Sequence, residues 1–271
     1  MKKNVGWLML MLVLSFSEGW AGEEPYDFRK RLEVVHQADR RDPAAKCAAD
    51  EYEIADGFRI GIAADAGDFV YRVARDFEDY LAVSMKVCAS VVRGAGDLTL
   101  ALDGVDGYSV EIDGTGVKVT AADERLLAQA LYHLEDLLNL RRGPFLKKGA
   151  ERRKPRFDVR LTHSGYGHMM YEEPMLNAMA HAGMTAIIAY ASGIDKTERG
   201  RVCDLRAVIR RAAKYGLDTY LYSELPAFFH PDDGDAPFEE SYGRVAAAYP
   251  EAKGIIIVGE SCQFPSKDPR V

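Results

Sequence analysis

From Phe157 onward the chain alternates strand-forming and helix-forming stretches, and this rhythm leaves it few architectures. FDVRLTHS is followed by EEPMLNAMAHAG, TAIIAY by DLRAVIRRAAKYG, and LDTYLYSEL by FEESYGRVAAAY, while GIIIVGE closes the series. Pro174 suits the first turn of the first helix and Gly183 its stop; Asp204 suits the cap of the second and Gly216 its stop. The apolar run Ile255 to Val258 reads as a buried strand, followed at once by Gly259 and Glu260. Strands separated by helices pair in parallel through right-handed crossovers, which predicts a (β/α) barrel or an open doubly wound sheet. No phosphate-cradling glycine signature follows any of these strands, which weighs against the nucleotide-binding version.

The stretch from 58 to 140 has a different pattern. FRIGIA reads as a strand, and the helix after it repeats Phe69, Val70, Val73, Phe77, Tyr80 and Leu81 at helical spacing. VCASVV, DLTLAL, YSVEID and VKVT follow as strands. Tyr108, Val110 and Ile112 alternate with polar residues, and Asp113-Gly114 opens a tight turn into the next strand. A second helix gathers Leu126, Leu127, Ala130, Leu131, Leu134, Leu137 and Leu138 on one face. The expectation is an α+β sandwich with both helices on one side of an antiparallel-rich sheet. Residues 141–156 hold eight basic residues, two glycines and two prolines in sixteen positions, and read as a solvated linker.

At the amino terminus two lysines precede an apolar stretch from Val5 to Phe16 and a small-residue site at Ala21 or Gly22. This order predicts a signal peptide over 1–22, a secreted or periplasmic protein, and no integral membrane span after cleavage. The domain expectation is therefore 1–22 signal peptide, 23–140 accessory domain, 141–156 linker and 157–271 barrel segment. With 48% hydrophobic and 28% charged residues the chain is globular, and a net charge of −7 argues against a nucleic-acid partner. Cys47, Cys88, Cys203 and Cys262 form no CxxC pair, so zinc-ribbon chemistry is not indicated; buried free thiols are the simplest expectation.

In a (β/α)8 barrel the chemistry sits at the carboxyl ends of the strands. Those ends are expected to carry Arg160, His163 and Tyr166, then Tyr190 and Asp195, then Tyr222 and Glu224, and finally Glu260. Carboxylates can protonate a glycosidic oxygen, Arg and His can hold hydroxyls, and tyrosine faces suit pyranose rings. Glu224 and Glu260 directly follow apolar strands and are the catalytic candidates. Arg160, His163, Tyr166, Tyr190 and Tyr222 are the candidates for binding a carbohydrate substrate. His163 and His168 lack the spacing of a metal pair, and neither metal nor cofactor is expected.

These residues resemble a known family. GYSVEIDGTGVKVTAADERLLAQALYHLEDLL is similar to the accessory domain preceding the barrel in glycoside hydrolase family 20 β-N-acetylhexosaminidases and related enzymes such as α-glucuronidases. KPRFDVR resembles the family's Pro-Arg-Phe-x-x-Arg opening, which implies that Arg160 binds substrate hydroxyls. KYGLDTYLYSELP resembles the segment ending Pro-Glu-Ile-Asp-Met-Pro, which puts Glu224 at the Asp position. IIIVGES stands in the place of Gly-Gly-Asp-Glu, which implies that Glu260 is the general acid. Three departures count against acetamido-assisted catalysis: Gly259 replaces the Asp before the acid, TAIIAY lacks His-Trp-His-Leu, and Tyr222 stands where the family has Glu.

The expected architecture is an α+β accessory domain followed by an incomplete (β/α)8 barrel of about four βα units. The roughly 115 residues from Phe157 compare with about 250 for a closed barrel. The expectation is a truncated reading of a longer protein, or a chain whose barrel a partner completes. The function read from the sequence is an exported glycoside hydrolase acting on oligo- or polysaccharides. The alternatives are a non-catalytic carbohydrate-binding or scaffold protein, an inactive fragment, and an α-glucuronidase-like glycosidase.

Overall fold

Apolar residues placed every second position on strands and every third or fourth on helices divide the structure into two sheet-and-helix layers. The computed structural model describes residues 34–104, 106–163, 171–191, 193–195, 203–224 and 235–258. The described residues from Val35 onward belong to one compact unit. A small antiparallel ribbon pairs β1 (Glu51–Glu53) with β7 (Phe145–Lys147). A six-stranded sheet runs in the order β3 (Ala89–Arg93), β2 (Phe58–Ile62), β4 (Leu98–Leu102), β6 (Val117–Ala121), β5 (Tyr108–Ile112) and β8 (Gly149–Arg153). Its helices are α1 (Asp68–Tyr80), which continues as the π-helical turn Leu81–Met85, and α2 (Glu124–Arg141).

Both helices bury the faces that their periodicity predicts. Val70, Val73, Phe77 and Tyr80 of α1 and Leu127, Leu131, Leu134 and Leu138 of α2 share one core with Ile60, Leu98, Val110 and Val119. Each such side chain contributes about 1.5–3 kcal/mol of burial free energy. α2 starts where Asp123 accepts a hydrogen bond from Leu126 N at 2.7 Å. The Asp113-Gly114 turn closes through the Asp113 carboxylate, which accepts from Thr115 N and Gly116 N.

Two expectations are corrected here. The sheet is mixed: β2 pairs in parallel with β3 and β4, and β4 with β6, while only β5–β6 and β5–β8 are antiparallel. The cause is α1, a helical crossover that returns the chain to the same edge and so makes β2 and β3 parallel. The stretch expected as linker contributes β7 and β8. Phe145 and Leu146 are buried, and β8 closes the sheet edge by backbone pairing while its Arg152 and Arg153 side chains stay in solvent.

The second sheet is wholly parallel, in the order β9 (Leu161–His163), β10 (Ala186–Tyr190), β11 (Asp218–Glu224) and β12 (Gly254–Val258). α3 (Glu173–His181) and α4 (Leu205–Ala213) intervene, then α5, a helical stretch composed of Ala236–Phe238, a π turn Glu239–Gly243 and Arg244–Ala248. Sequential order without a reversal sets this sheet apart from the doubly wound type. Ile187, Ala189 and Leu221 share a buried cluster with Leu205, Val208, Ile209 and Ala212 of α4. Asp204 caps α4, accepting from Ala207 N at 2.8 Å. Gly216 ends the turn at φ +69°, where an added Cβ would also strike the Phe69 ring.

Where α1 and α2 meet α3, a polar cluster is buried. His181, the last residue of α3, has Nε2 3.0 Å from Asp76 Oδ2 and 3.3 Å from Glu135 Oε2. Burial opposes charge on His181, but the Asp76 and Glu135 carboxylates outweigh it and push its pKa up to about 10. Burial likewise works to raise Asp76, and the paired imidazoles of His181 and His36 hold it well below the usual carboxylate range. For Glu135 burial wins and the pKa is raised. Nearby, Arg125 of α2 bridges to Asp218 at 2.9 Å.

Among the described residues Cys47, Cys88 and Cys203 carry free thiols, but Cys47 and Cys88 are exposed, a correction to the expected burial. They sit in the segments leading into β1 and β3, where only the backbone is needed. No described helix is long and apolar enough to cross a membrane.

Candidate functional site

Parallel register decides which side chains meet at the carboxyl edge of the β9–β12 sheet. Tyr190 is opposite Tyr222, and His163 is opposite Ile188. Residues in register on parallel strands share a face, so His163, Tyr190 and Tyr222 lie on the face opposite Ala189 and Leu221. The Tyr190 and Tyr222 ring centroids are 4.6 Å apart at 55°, and the His163 ring stands edge-on to Tyr190 at 6.3 Å and 87°. Tyr190 is only 5% exposed, Tyr222 is half-buried and His163 is exposed. Tyr190 therefore supports the other two, which form the accessible rim.

Glu224 ends β11, two residues beyond Tyr222, with its backbone paired to Val258. Glu260 and Tyr166 lie outside the described residues. Sequence reasoning missed Tyr171, a fully buried residue whose hydroxyl donates to Ile188 O at 2.6 Å. It braces β10 just below the rim from a left-handed backbone position, φ +38°. Nothing in the local sequence signals that long-range bond.

Arg160 is not brought to this edge. It precedes β9 and therefore stands at the amino end of the sheet, a correction to its expected placement. Its Nε donates to Gly183 O at 2.6 Å and its Nη1 to Phe157 O, while its backbone N donates to Thr185 Oγ1 at 2.9 Å. The guanidinium thus ties the entry of β9 to the turn before β10. It also lines a cleft of about 330 Å³ together with Asp158, Thr185, Arg125 and Lys154. Asp195 is engaged as well. Its carboxylate accepts from the Tyr249 hydroxyl at 2.7 Å, and its backbone N donates to the same oxygen at 2.6 Å. Burial, then the bond to Asp195, pushes the Tyr249 pKa up to about 12.

The rim therefore offers an aromatic face, an imidazole edge and a strand that ends in a carboxylate-bearing residue. Tyrosine faces can lie against the apolar side of a ring, and an imidazole can donate to or accept from a hydroxyl.

No family model and no curated protein matches the chain. Solved structures do. A Streptomyces plicatus β-hexosaminidase aligns with TM-score 0.53 and 19% identity over 70% of this chain and 46% of its own. A Flavobacterium johnsoniae chitobiase aligns with TM-score 0.53 and 13% identity over 82% and 37%. A Vibrio harveyi family 20 exo-β-N-acetylglucosaminidase gives TM-score 0.50 and 12% identity over 80% and 39%. The chain spans less than half the length of each of these proteins. At such identities the likeness is one of fold, a distant family 20-like mixed α/β arrangement.

Proposed function

We propose that this chain belongs to an exported glycosidase-like protein whose β9–β12 sheet is the first part of a (β/α)8 barrel, with a carbohydrate site at its carboxyl edge. The observation that carries this reading is the convergence of His163, Tyr190 and Tyr222 on that edge, where barrel chemistry is placed. In the proposed reaction Glu260 is the general acid, protonating the leaving glycosidic oxygen, and Glu224 assists at the same mouth. Tyr222 and His163 hold the sugar, with Tyr190 behind them. From its position, Arg160 keeps the β9 entry in place instead of touching substrate. Residues 1–22 act as the export signal, and 23–140 as the accessory domain. The shared fold with hexosaminidases supports the substrate class, oligo- or polysaccharides, and an α-glucuronidase-like specificity fits the same site.

A second reading, glycan binding without hydrolysis, is favoured by Gly259, which stands where the resemblance calls for an acidic residue beside the acid. One experiment separates the two. The protein is incubated with unactivated disaccharides that end in N-acetylglucosamine or glucuronic acid, and hydrolysis and binding are both measured. The enzymatic reading expects turnover that falls roughly 100-fold or more in Glu260→Gln. Binding without turnover selects the second reading, and absence of both defeats the two together.

A further inference from the structure

The cluster at the junction of α1, α2 and α3 brings two imidazoles and two carboxylates together under cover. Four side chains from four separate segments meet there: His36 before β1, Asp76 on α1, Glu135 on α2 and His181 at the end of α3. One donor atom each from His36, Asp76 and His181 lies within 4.8 Å of the others. The Glu135 Oε2 is 3.3 Å from His181 Nε2. His36 Nε2 is 3.5 Å from Asp76 Oδ1 and 3.9 Å from the largely exposed Asp79 Oδ2. All four side chains are largely shielded, at 6% exposure for His36 and Glu135, 15% for His181 and 20% for Asp76.

We propose that His36, Asp76 and His181 form a structural site for a divalent transition-metal cation of the zinc class, with Glu135 beside His181. The spacing suits it. With ligand bonds of about 2.0–2.2 Å, neighbouring atoms of a tetrahedral zinc shell stand about 3.3–3.5 Å apart; His181 Nε2 is 3.0 Å from Asp76 Oδ2, and one donor atom each from His36, Asp76 and His181 lies within 4.8 Å of the others, so small side-chain shifts bring the three to that spacing.

The tautomer suits it too. His181 Nδ1 meets Asn177 O at 2.8 Å, which fixes the ring N–H on that side and turns Nε2 into the cluster. Asn177 Nδ2 in turn donates to Asp76 Oδ1 at 2.7 Å, so one residue orients two ligands. Meanwhile His181 Nε2, Asp76 Oδ2 and Glu135 Oε1 are buried without a hydrogen bond, although they crowd one another. Buried polar atoms are nearly always bonded, and His181 Nε2 and Asp76 Oδ2 face each other at 3.0 Å without a well-aligned hydrogen bond, as two ligands of one cation would.

The donor types suit it as well: imidazole nitrogens select zinc, copper or nickel over magnesium or calcium, and a cation binding here would displace the proton that His181 shares with the carboxylates. The ring of Tyr132, 4.0 Å from that of His181, and Tyr80, edge-on to His36 at 5.6 Å, wall the site off. The cation would staple the segment at His36 and helices α1, α2 and α3 together, a role independent of any sugar chemistry.

The test uses zinc chloride alone. The protein is stripped by dialysis against a chelator and then equilibrated with zinc, and bound metal is counted by elemental analysis. Cobalt(II) replaces zinc in a parallel sample for its visible spectrum. The expected result is one zinc per chain, a higher melting temperature with zinc than without, and a four-coordinate cobalt band. Asp76→Asn should weaken zinc binding by at least roughly 10-fold and abolish the band. If Asp76→Asn does not fold, His36→Asn decides the matter, because His36 lies in an irregular segment outside every helix. Failure of the native protein to take up stoichiometric zinc overturns the site, as does binding that survives both substitutions.

Discussion

Replacing Gly61 with Ala tests the packing of the six-stranded sheet at a close backbone approach. Gly61 lies in β2, in register with Thr99 of β4, and Ile60 and Ile62 beside it are fully buried. A Cβ at this position would sit 2.5 Å from Gly94 O and 2.6 Å from Gly96 N. Carbon–oxygen contacts settle at about 3.3–3.6 Å, so the backbone at 94–96 would have to retreat by about 0.8 Å or more. The obstructing atoms are main-chain atoms and cannot rotate away. They belong to the turn between β3 and β4, which is anchored by Gly94 N donating to Ile62 O at 2.8 Å. Overpacking of this kind costs about 1–3 kcal/mol. Loosening one turn hydrogen bond adds about 0.5–1.5 kcal/mol. The stiffer unfolded chain returns about 0.4–1 kcal/mol, which leaves a net loss of about 2–3 kcal/mol. For a domain of this size that lowers the melting temperature by about 4–12 °C. Urea unfolding is the assay, with a lower midpoint and an unchanged slope expected. Gly104→Ala is the control: a Cβ there meets nothing within 4 Å, so its stability should match the native protein or rise slightly. A Gly61→Ala midpoint equal to that of the control would refute the close approach of β2 to the 94–96 turn.

Two further outcomes follow from the same structure. Asp123→Ala removes the cap of α2, whose carboxylate accepts from Leu126 N, and should cost about 1 kcal/mol in urea unfolding. Tyr215 and Tyr249 are both pushed up to about 12, by burial first and then by Glu173 and Asp195 respectively. These raised values mean that the unfolded chain loses its tyrosine protons first, so the stability they contribute is complete below about pH 10 and is lost as pH rises toward 12. An ultraviolet phenolate titration should show at least four late tyrosines, because burial raises Tyr80 and Tyr132 further still, and ionisation of every tyrosine by pH 10.5 in the folded protein would contradict this.

The elements that the sequence disclosed best are those whose signal is local. Leu131 and its neighbours at helical spacing, Asp204 before its helix, and Asp113-Gly114 between two alternating runs each carry their structure within a few residues. The sheet direction was also latent in the sequence, because a helix between β2 and β3 already implies a parallel return. What was hidden is long-range. The basic stretch at 149–153 becomes a strand only because β5 offers it an edge, and no periodicity inside those residues says so. Arg160 reads as a group at the carboxyl end of its strand until β9 is seen to begin after it. The junction cluster was invisible for the same reason: its donors come one at a time from segments far apart in the chain, so no metal-ligand spacing exists to be read.

The stabilising contacts and the proposed site lie at opposite ends of the parallel sheet. Arg160 bound to Gly183 O, Thr185 under Arg160 N, the Arg125–Asp218 bridge and His181 at the end of α3 all lie toward the amino ends of β9, β10 and β11. His163, Tyr190, Tyr222 and Glu224 lie toward their carboxyl ends. In barrel proteins the first end maintains the fold and the second carries the reaction, because the loops that can vary without unravelling the strands emerge there. The helices α1 and α2 dock through Asp76, Gln129 and Arg125 on the amino side, away from the rim of His163 and Tyr222. The junction, with or without its cation, therefore sets how firmly the sheet that bears His163, Tyr190 and Tyr222 is held.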